Sequence, residues 1–163
     1  MSHRPSLAEP AFPDDDGRAD SLLTEALGDD LAVLAVLGDV RVFVPVVALL
    51  GDVPAEGDNP RRTSSAGGAP QGEMAAVLMT GADGRTALLA FSSVATMTEW
   101  NGDARPVPVW GREAARAALD EGAMAILLDL GSPTFTVIET ADVEHLAAGH
   151  RLVGTEAGPA WVA

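Results

Sequence analysis

The chain has 163 residues, 47% of them apolar and none of them cysteine, and its formal net charge is −14. That length suits one domain with its own core, and the missing thiols exclude disulfides, thiolate nucleophiles and cysteine-based zinc sites. All ten basic residues are arginine, which excludes Schiff-base and P-loop lysine chemistry, and so acidic a chain is repelled by nucleic acid and by anionic lipid.

Residues 1–19 carry three prolines and the acidic run Asp14–Asp16, and read as a flexible N-terminal tail. An Asp triplet could hold calcium, but an EF-hand loop alternates its ligands and needs a distant Glu, so solvated tail is the reading. No apolar signal-peptide core is seen there. The longest apolar run, Val42–Leu50, has nine residues, well short of the about twenty that span a bilayer. A cytoplasmic protein is the expectation.

Asp20 or Ser21 can cap a short helix over Leu22–Leu27, with Gly28 ending it. Asp29 or Asp30 caps a second helix with Leu31, Leu34 and Leu37 on one face, and Gly38 stands at its C′ position. Val40–Leu50 then reads as a strand apolar on both faces, hence central. Pro45 argues against a regular central strand, because proline has no N–H to give a ladder; the strand is near an edge, bulged or split. Gly51–Gly72 reads as a mobile loop. Its Arg61–Arg62–Thr63–Ser64–Ser65 could bind an anion or accept a phosphate, against the plainer reading of a solvated loop.

Met74–Thr80 is the next strand, and Asp83–Gly84 supplies turn chemistry for a hairpin returning through Arg85–Phe91. Ser92 or Ser93 caps a helix over Val94–Trp100. Arg105–Val109 is extended, because its two prolines forbid helix. Gly111–Glu121 is alanine-rich and helical, and Gly122 stops it. Met124–Leu130 and Thr134–Glu139 form a second hairpin, and Thr140 can cap a last helix through Ala148. Residues 150–163 are a tail or a docking edge strand. The sum is an α+β domain over 20–149: a mixed, mainly antiparallel sheet of about five strands in the order ααβ-ββα-αββα, with helices packed on it.

Site chemistry is sparse. His145 and His150 are five apart, which does not suit a helical metal pair, and no metal or cofactor is expected. Ser92–Ser93 follows Ala90–Phe91 and makes no G-x-S-x-G elbow. The glycine-rich pieces match no nucleotide motif. The helix start at Ser92–Ser93 offers N–H groups that could hold an anion, though capping is its ordinary role. Trp110 follows an extended segment and could line an interface. No catalytic residue is assigned. The candidate ligand- or partner-binding residues are Arg85, Ser92, Ser93, Arg105 and Trp110.

The run VRVFVPVVALLG, then MAAVLMTGADGRTALLAFSSVATMTEW, then RPVPV and an alanine-rich helix resembles the SseB family N-terminal domain, in its actinobacterial branch, over about Asp20 to Gly149. The pieces that carry the resemblance are Val44–Val46, Asp83–Arg85, Ala90–Ser93 with Trp100 downstream, and Arg105–Pro108. The family's usual threonine after phenylalanine is Ser92 here, and its D-P-x-G-P turn reads Asp129–Leu130–Gly131–Ser132–Pro133. The family is named for an enhanced serine-sensitivity phenotype and brings no catalytic residues. The family's biochemical activity is not established; the missing site chemistry, the acidic surface and the long loop lead to the expectation of a non-catalytic cytoplasmic binding or adaptor module, with an unknown protein partner or small ligand and possible self-association. The alternative is an anion sensor or enzyme built on the Ser92–Ser93 helix start.

Overall fold

A computed structural model describes residues 12–48 and 74–163. In chain order these hold α1 (Ser21–Ala26), α2 (Asp30–Leu37), β1 (Arg41–Ala48), β2 (Met74–Ala76), β3 (Leu78–Thr80), β4 (Thr86–Ala90) and α3 (Val94–Trp100). There follow β5 (Arg105–Trp110), α4 (Gly111–Asp120), β6 (Ala125–Leu128), β7 (Thr136–Glu139), α5 (Thr140–Ala147), β8 (Arg151–Thr155) and β9 (Gly158–Val162). The class is α+β with mostly antiparallel pairing, as expected.

The expected single strand Met74–Thr80 is divided between two ladders. β2 pairs with β1, and β3 pairs with β4. Val77 is the hinge: its N–H donates to Pro45 O at 3.0 Å, and its own carbonyl accepts from Leu89 N at 3.3 Å. Below that hinge β1 and β4 meet directly, because Phe43 and Phe91 exchange both backbone hydrogen bonds at 2.8 Å. The strand through Val77 is thus a wedge between β1 and β4. The ladders run β2-β1-β5 and β3-β4-β6-β7, and only β4–β6 is parallel.

The three prolines of β1 and β5 find a common solution. The N–H and C=O of Phe43 both point at Phe91, so Phe43 and, two residues on, Pro45 turn away from β5. Their partners across the β1–β5 ladder are Pro108 and Pro106, which therefore also occupy non-hydrogen-bonded positions. No proline interrupts the β1–β5 bonds, and the two on β5 face outward where an edge strand would otherwise offer donors. The expected extended stretch Arg105–Val109 is an edge strand for this reason.

Four helices cover one face of the sheet. Leu23, Val33 and Leu37 pack with Val42, Leu88, Ala90, Ala114, Ala118, Ile126, Ile138, Val143 and Leu146 in one buried cluster. On α2 the buried positions are Val33 and Leu37, while Leu31 is 53% exposed. Of the expected leucine row, Leu37 is buried and Leu34 packs against the core, while Leu31 faces outward and Val33 takes the inward position at that end. Gly38 is not a left-handed cap: its φ is −63°. The glycine that matters structurally there is Gly111, where a Cβ would lie 1.8 Å from Leu37 O. Its N–H donates to Val40 O at 2.9 Å, which seats the start of α4 on the α2–β1 corner. On the opposite face α3 covers Leu89 and Phe91 with Met97, and Trp100 lies 5.5 Å from the Phe91 ring.

Two terminal expectations change. Residues 12–19 are not a free tail: Phe12 meets Trp110 edge-on at 5.0 Å, Gly17 O accepts from Val94 N at 2.9 Å, and Asp15 pairs with Arg41. Residues 1–11 and the expected loop 51–72, with Arg61–Ser65, lie outside the described residues. At the other end, β8 and β9 form a hairpin of their own. Trp161 anchors it, donating from Nε1 to Asp142 Oδ1 at 3.2 Å and stacking on His145 at 4.9 Å.

Candidate functional site: the strand-to-helix junction

The junction after β4 distributes its two serines between different tasks. Ser93 is the N-cap of α3. Its Oγ accepts from Thr96 N at 3.1 Å, and Thr96 Oγ1 in return accepts from Ser93 N at 3.4 Å. Ser92 does not cap. Its backbone N–H and its hydroxyl both donate to the carboxylate of Asp129, at 2.7 Å to Oδ1 and 2.6 Å to Oδ2. Ser92 is 2% exposed and Asp129 not at all.

Asp129 reaches that position because of its backbone. It follows β6, its N–H extends the β4–β6 ladder by donating to Ala90 O at 2.9 Å, and its φ is then 57°. It is the only non-glycine residue with positive φ among the described residues. The left-handed turn folds the short side chain back over the end of β4, a conformation that aspartate tolerates better than most residues. Thr96 Oγ1 lies 3.2 Å from Asp129 Oδ1 as well, so the strand end, the helix start and the second turn converge on one carboxylate.

Beneath the junction lies a buried cation. Arg41 donates from Nη1 to Ser92 O at 3.0 Å, from Nη2 to Asp15 Oδ1 at 2.9 Å, and to the Arg18 carbonyl. Its Nε is 2.8 Å from Asp15 Oδ2, a close ion-pair contact without an aligned hydrogen bond. The guanidinium stacks over Phe43 at 4.0 Å.

Of the five expected residues, the fold brings Ser92 and Ser93 together and sets Trp110 nearby. Trp110 is the cross-strand partner of Arg41 and is 36% exposed. Arg105 is at the far end of β5, paired in register with Val46, which is roughly 17 Å from Trp110 along an extended strand. Arg85 is displaced similarly along β4, where it pairs with Glu139 at 2.9 Å. That hydrogen bond and charge, aided by Asp83, hold its guanidinium above the ordinary value. Neither arginine faces Ser92. The two histidines among the described residues belong to the opposite, helical layer: His145 on α5 and His150 before β8 meet through their Nδ1 atoms at 2.9 Å, one donating and one accepting.

The helix start also offers less to an anion than its sequence suggests, since Val94 N donates to Gly17 O and Thr96 N to Ser93 Oγ. Among the described residues, no group of three or more His, Asp or Glu could hold a metal ion, and no helix is long and apolar enough to cross a membrane. Sequence reasoning missed Asp129, Arg41 and Asp15. The available signals were an arginine opening an apolar strand and an aspartate directly after one.

No curated protein and no solved structure shows significant similarity to the chain. The family model of the SseB protein N-terminal domain matches residues 20–145, a span that includes β1, the Asp83–Arg85 turn, the Ser92–Ser93 junction and Asp129. The chain belongs to the SseB family.

Proposed function

We propose that the chain is a non-catalytic binding or adaptor module, cytoplasmic and of the family's actinobacterial branch, that engages a protein partner. The observation that carries this reading is the enclosure of Ser92 and Asp129. The serine hydroxyl that an enzyme would use is held against a fully buried carboxylate, with His145 and His150, the histidines among the described residues, in the other layer. An activated serine needs a base within reach and access for a substrate. Here the hydroxyl joins two structural elements instead. The alternative, an anion sensor or enzyme on the Ser92–Ser93 helix start, is disfavoured by the Gly17 carbonyl on Val94 N.

The surface that suits a partner is β5. Val107 is 38% exposed and Trp110 36%, with Arg105 at the same edge. Because Pro106 and Pro108 remove the outward donors, a partner meets side chains here and cannot extend the sheet by regular strand addition. Trp110 is the candidate anchor, since buried tryptophans and arginines dominate interface energetics. Capture on the purified full chain should recover a partner with wild type and with Ser92→Ala, and lose it with Trp110→Ser. The expected loss of affinity is about 30-fold, the scale of an interface hot spot. Turnover of any substrate that vanishes on Ser92→Ala while folding is intact overturns the reading.

A further inference from the structure

We propose that a pocket between the end of α2, the outer face of α4 and the start of β8 binds a small oxyanion carrying at least two negative charges. A phosphate monoester and a dicarboxylate share that chemistry. The site shares no residue with the partner surface proposed above, but the two abut at the start of α4, where the Arg112 guanidinium lies 5.7 Å from the Trp110 ring.

The pocket has a volume of about 290 Å3. Arg112, Arg116, Arg151 and His150 line it, with Asp39 among them and Leu34 and Leu146 as apolar lining. Three of the chain's ten arginines therefore gather at one cavity of a protein whose net charge is −14. Against them stands one carboxylate, leaving a local excess of two positive charges. Generic surface charge balance does not account for a cationic cavity on so acidic a chain, where arginines dispersed among the acids would serve solubility equally.

The existing contacts are loose where a ligand would be tight. Arg112 Nη1 and Arg151 Nη2 each lie 3.4 Å from a different oxygen of Asp39. Well-formed guanidinium–carboxylate bonds run about 2.7–2.9 Å. Asp39 thus stands between two arginines without closing on either. Arg116 is oriented differently: its Nε donates to Ala147 O at 2.9 Å. That bond helps satisfy the end of α5 and leaves the terminal amino groups of the guanidinium without a partner among the described residues.

Helix stability does not favour Arg112, whose guanidinium lies at the outer limit of a contact with the Trp110 ring, at 5.7 Å. It occupies the first turn of α4, where a cation opposes the helix dipole. Its backbone is nevertheless fixed, because Arg112 N donates to Gly38 O at 3.4 Å and the preceding Gly111 is wedged against Leu37 O. Arg112 and Arg116 therefore project from a helix packed into the core, which is the preorganisation an anion site needs. Arginine forks match the paired oxygens of carboxylate and phosphate, and the leucines suit a short carbon skeleton between charged groups.

Isothermal titration of the full chain with inorganic phosphate and with succinate, at constant ionic strength and with chloride as control, tests this. Saturable binding of at least one of the two is expected, and the tighter one names the ligand class. Arg112→Gln and Arg151→Gln should each weaken it about tenfold. Asp39→Asn is the discriminating variant. As a mere salt-bridge partner its loss would only destabilise the fold, whereas a competing carboxylate's removal should tighten anion binding about threefold or more. Arg151 is 71% exposed at its side chain, so its variant keeps the test valid if Arg112→Gln folds poorly. Absence of saturable binding for both anions at about 10 mM, or affinities indifferent to both arginine variants, overturns the proposal.

Discussion

Asp129 carries two burdens at a single position: a left-handed backbone and a buried carboxylate. Its environment distinguishes among substitutions. Asp129→Asn keeps an acceptor for Ser92 N–H, presents an amide donor to the hydroxyl oxygen and tolerates φ 57°. A loss of about 1 kcal/mol is expected. Asp129→Ala strands both Ser92 donors without water and keeps the backbone penalty, so roughly 3–5 kcal/mol should be lost. Urea unfolding midpoints of the two variants check the order; equal losses would mean the carboxylate is incidental. None of this pairing was legible in the sequence, because Ser92 and Asp129 are 37 positions apart and hydroxyl caps are so common that Ser92 read as one. The capping function itself was legible. It belongs to Ser93, and only the geometry of α3 chooses between two adjacent serines.

Elements are joined at points where neighbouring backbones come unusually close. At the start of α4, Gly111→Ala would place a methyl 1.8 Å from Leu37 O. The helix must shift, and a loss of about 2–3 kcal/mol is expected from overpacking, read as a fall in the thermal midpoint. The N-terminal segment depends on a different joint. Asp15 and Arg41 have side chains only 13% and 9% exposed, and Asp15→Ala leaves a buried guanidinium with carbonyl partners alone. That should cost about 3 kcal/mol, with faster amide exchange at residues 14–18 as the local signature. Residues 12–19 read as tail because proline and aspartate clusters usually are. The partner that secures them, Arg41, is a lone arginine in an apolar strand, and its meaning appears only when the strand's two faces are assigned. Strand identity, by contrast, followed well from apolar runs and glycine turns. Gly84, at φ 81°, closes the β3–β4 hairpin at the expected Asp-Gly pair.

Across the whole molecule, charge and topology set the remaining behaviour. With a net charge of −14, the folded chain repels itself, so its thermal midpoint should rise as salt increases from near zero to about 0.15 M, where screening acts within about 8 Å. A flat response would show that the arginine clusters already balance the surface. The C-terminal hairpin is part of the same body. Trp161→Ala removes the stacking on His145 and the bond to Asp142, and should cost roughly 2 kcal/mol, below the value for a fully enclosed ring. Light scattering of a chain lacking residues 150–163 reads whether that hairpin also mediates self-association. The α+β class was legible because hairpin signals and helical stretches alternate along the chain. The split of one strand over two ladders was not, since Val77 looks like any apolar strand residue until Pro45 and Leu89 claim its two backbone groups. The pairing of Ala48 with Met74 in adjacent strands has a practical consequence. Those two residues sit about 5 Å apart, so a tight turn in place of residues 49–73 is long enough to carry the chain from β1 to β2, while the wedge at Val77 keeps both ladders in register.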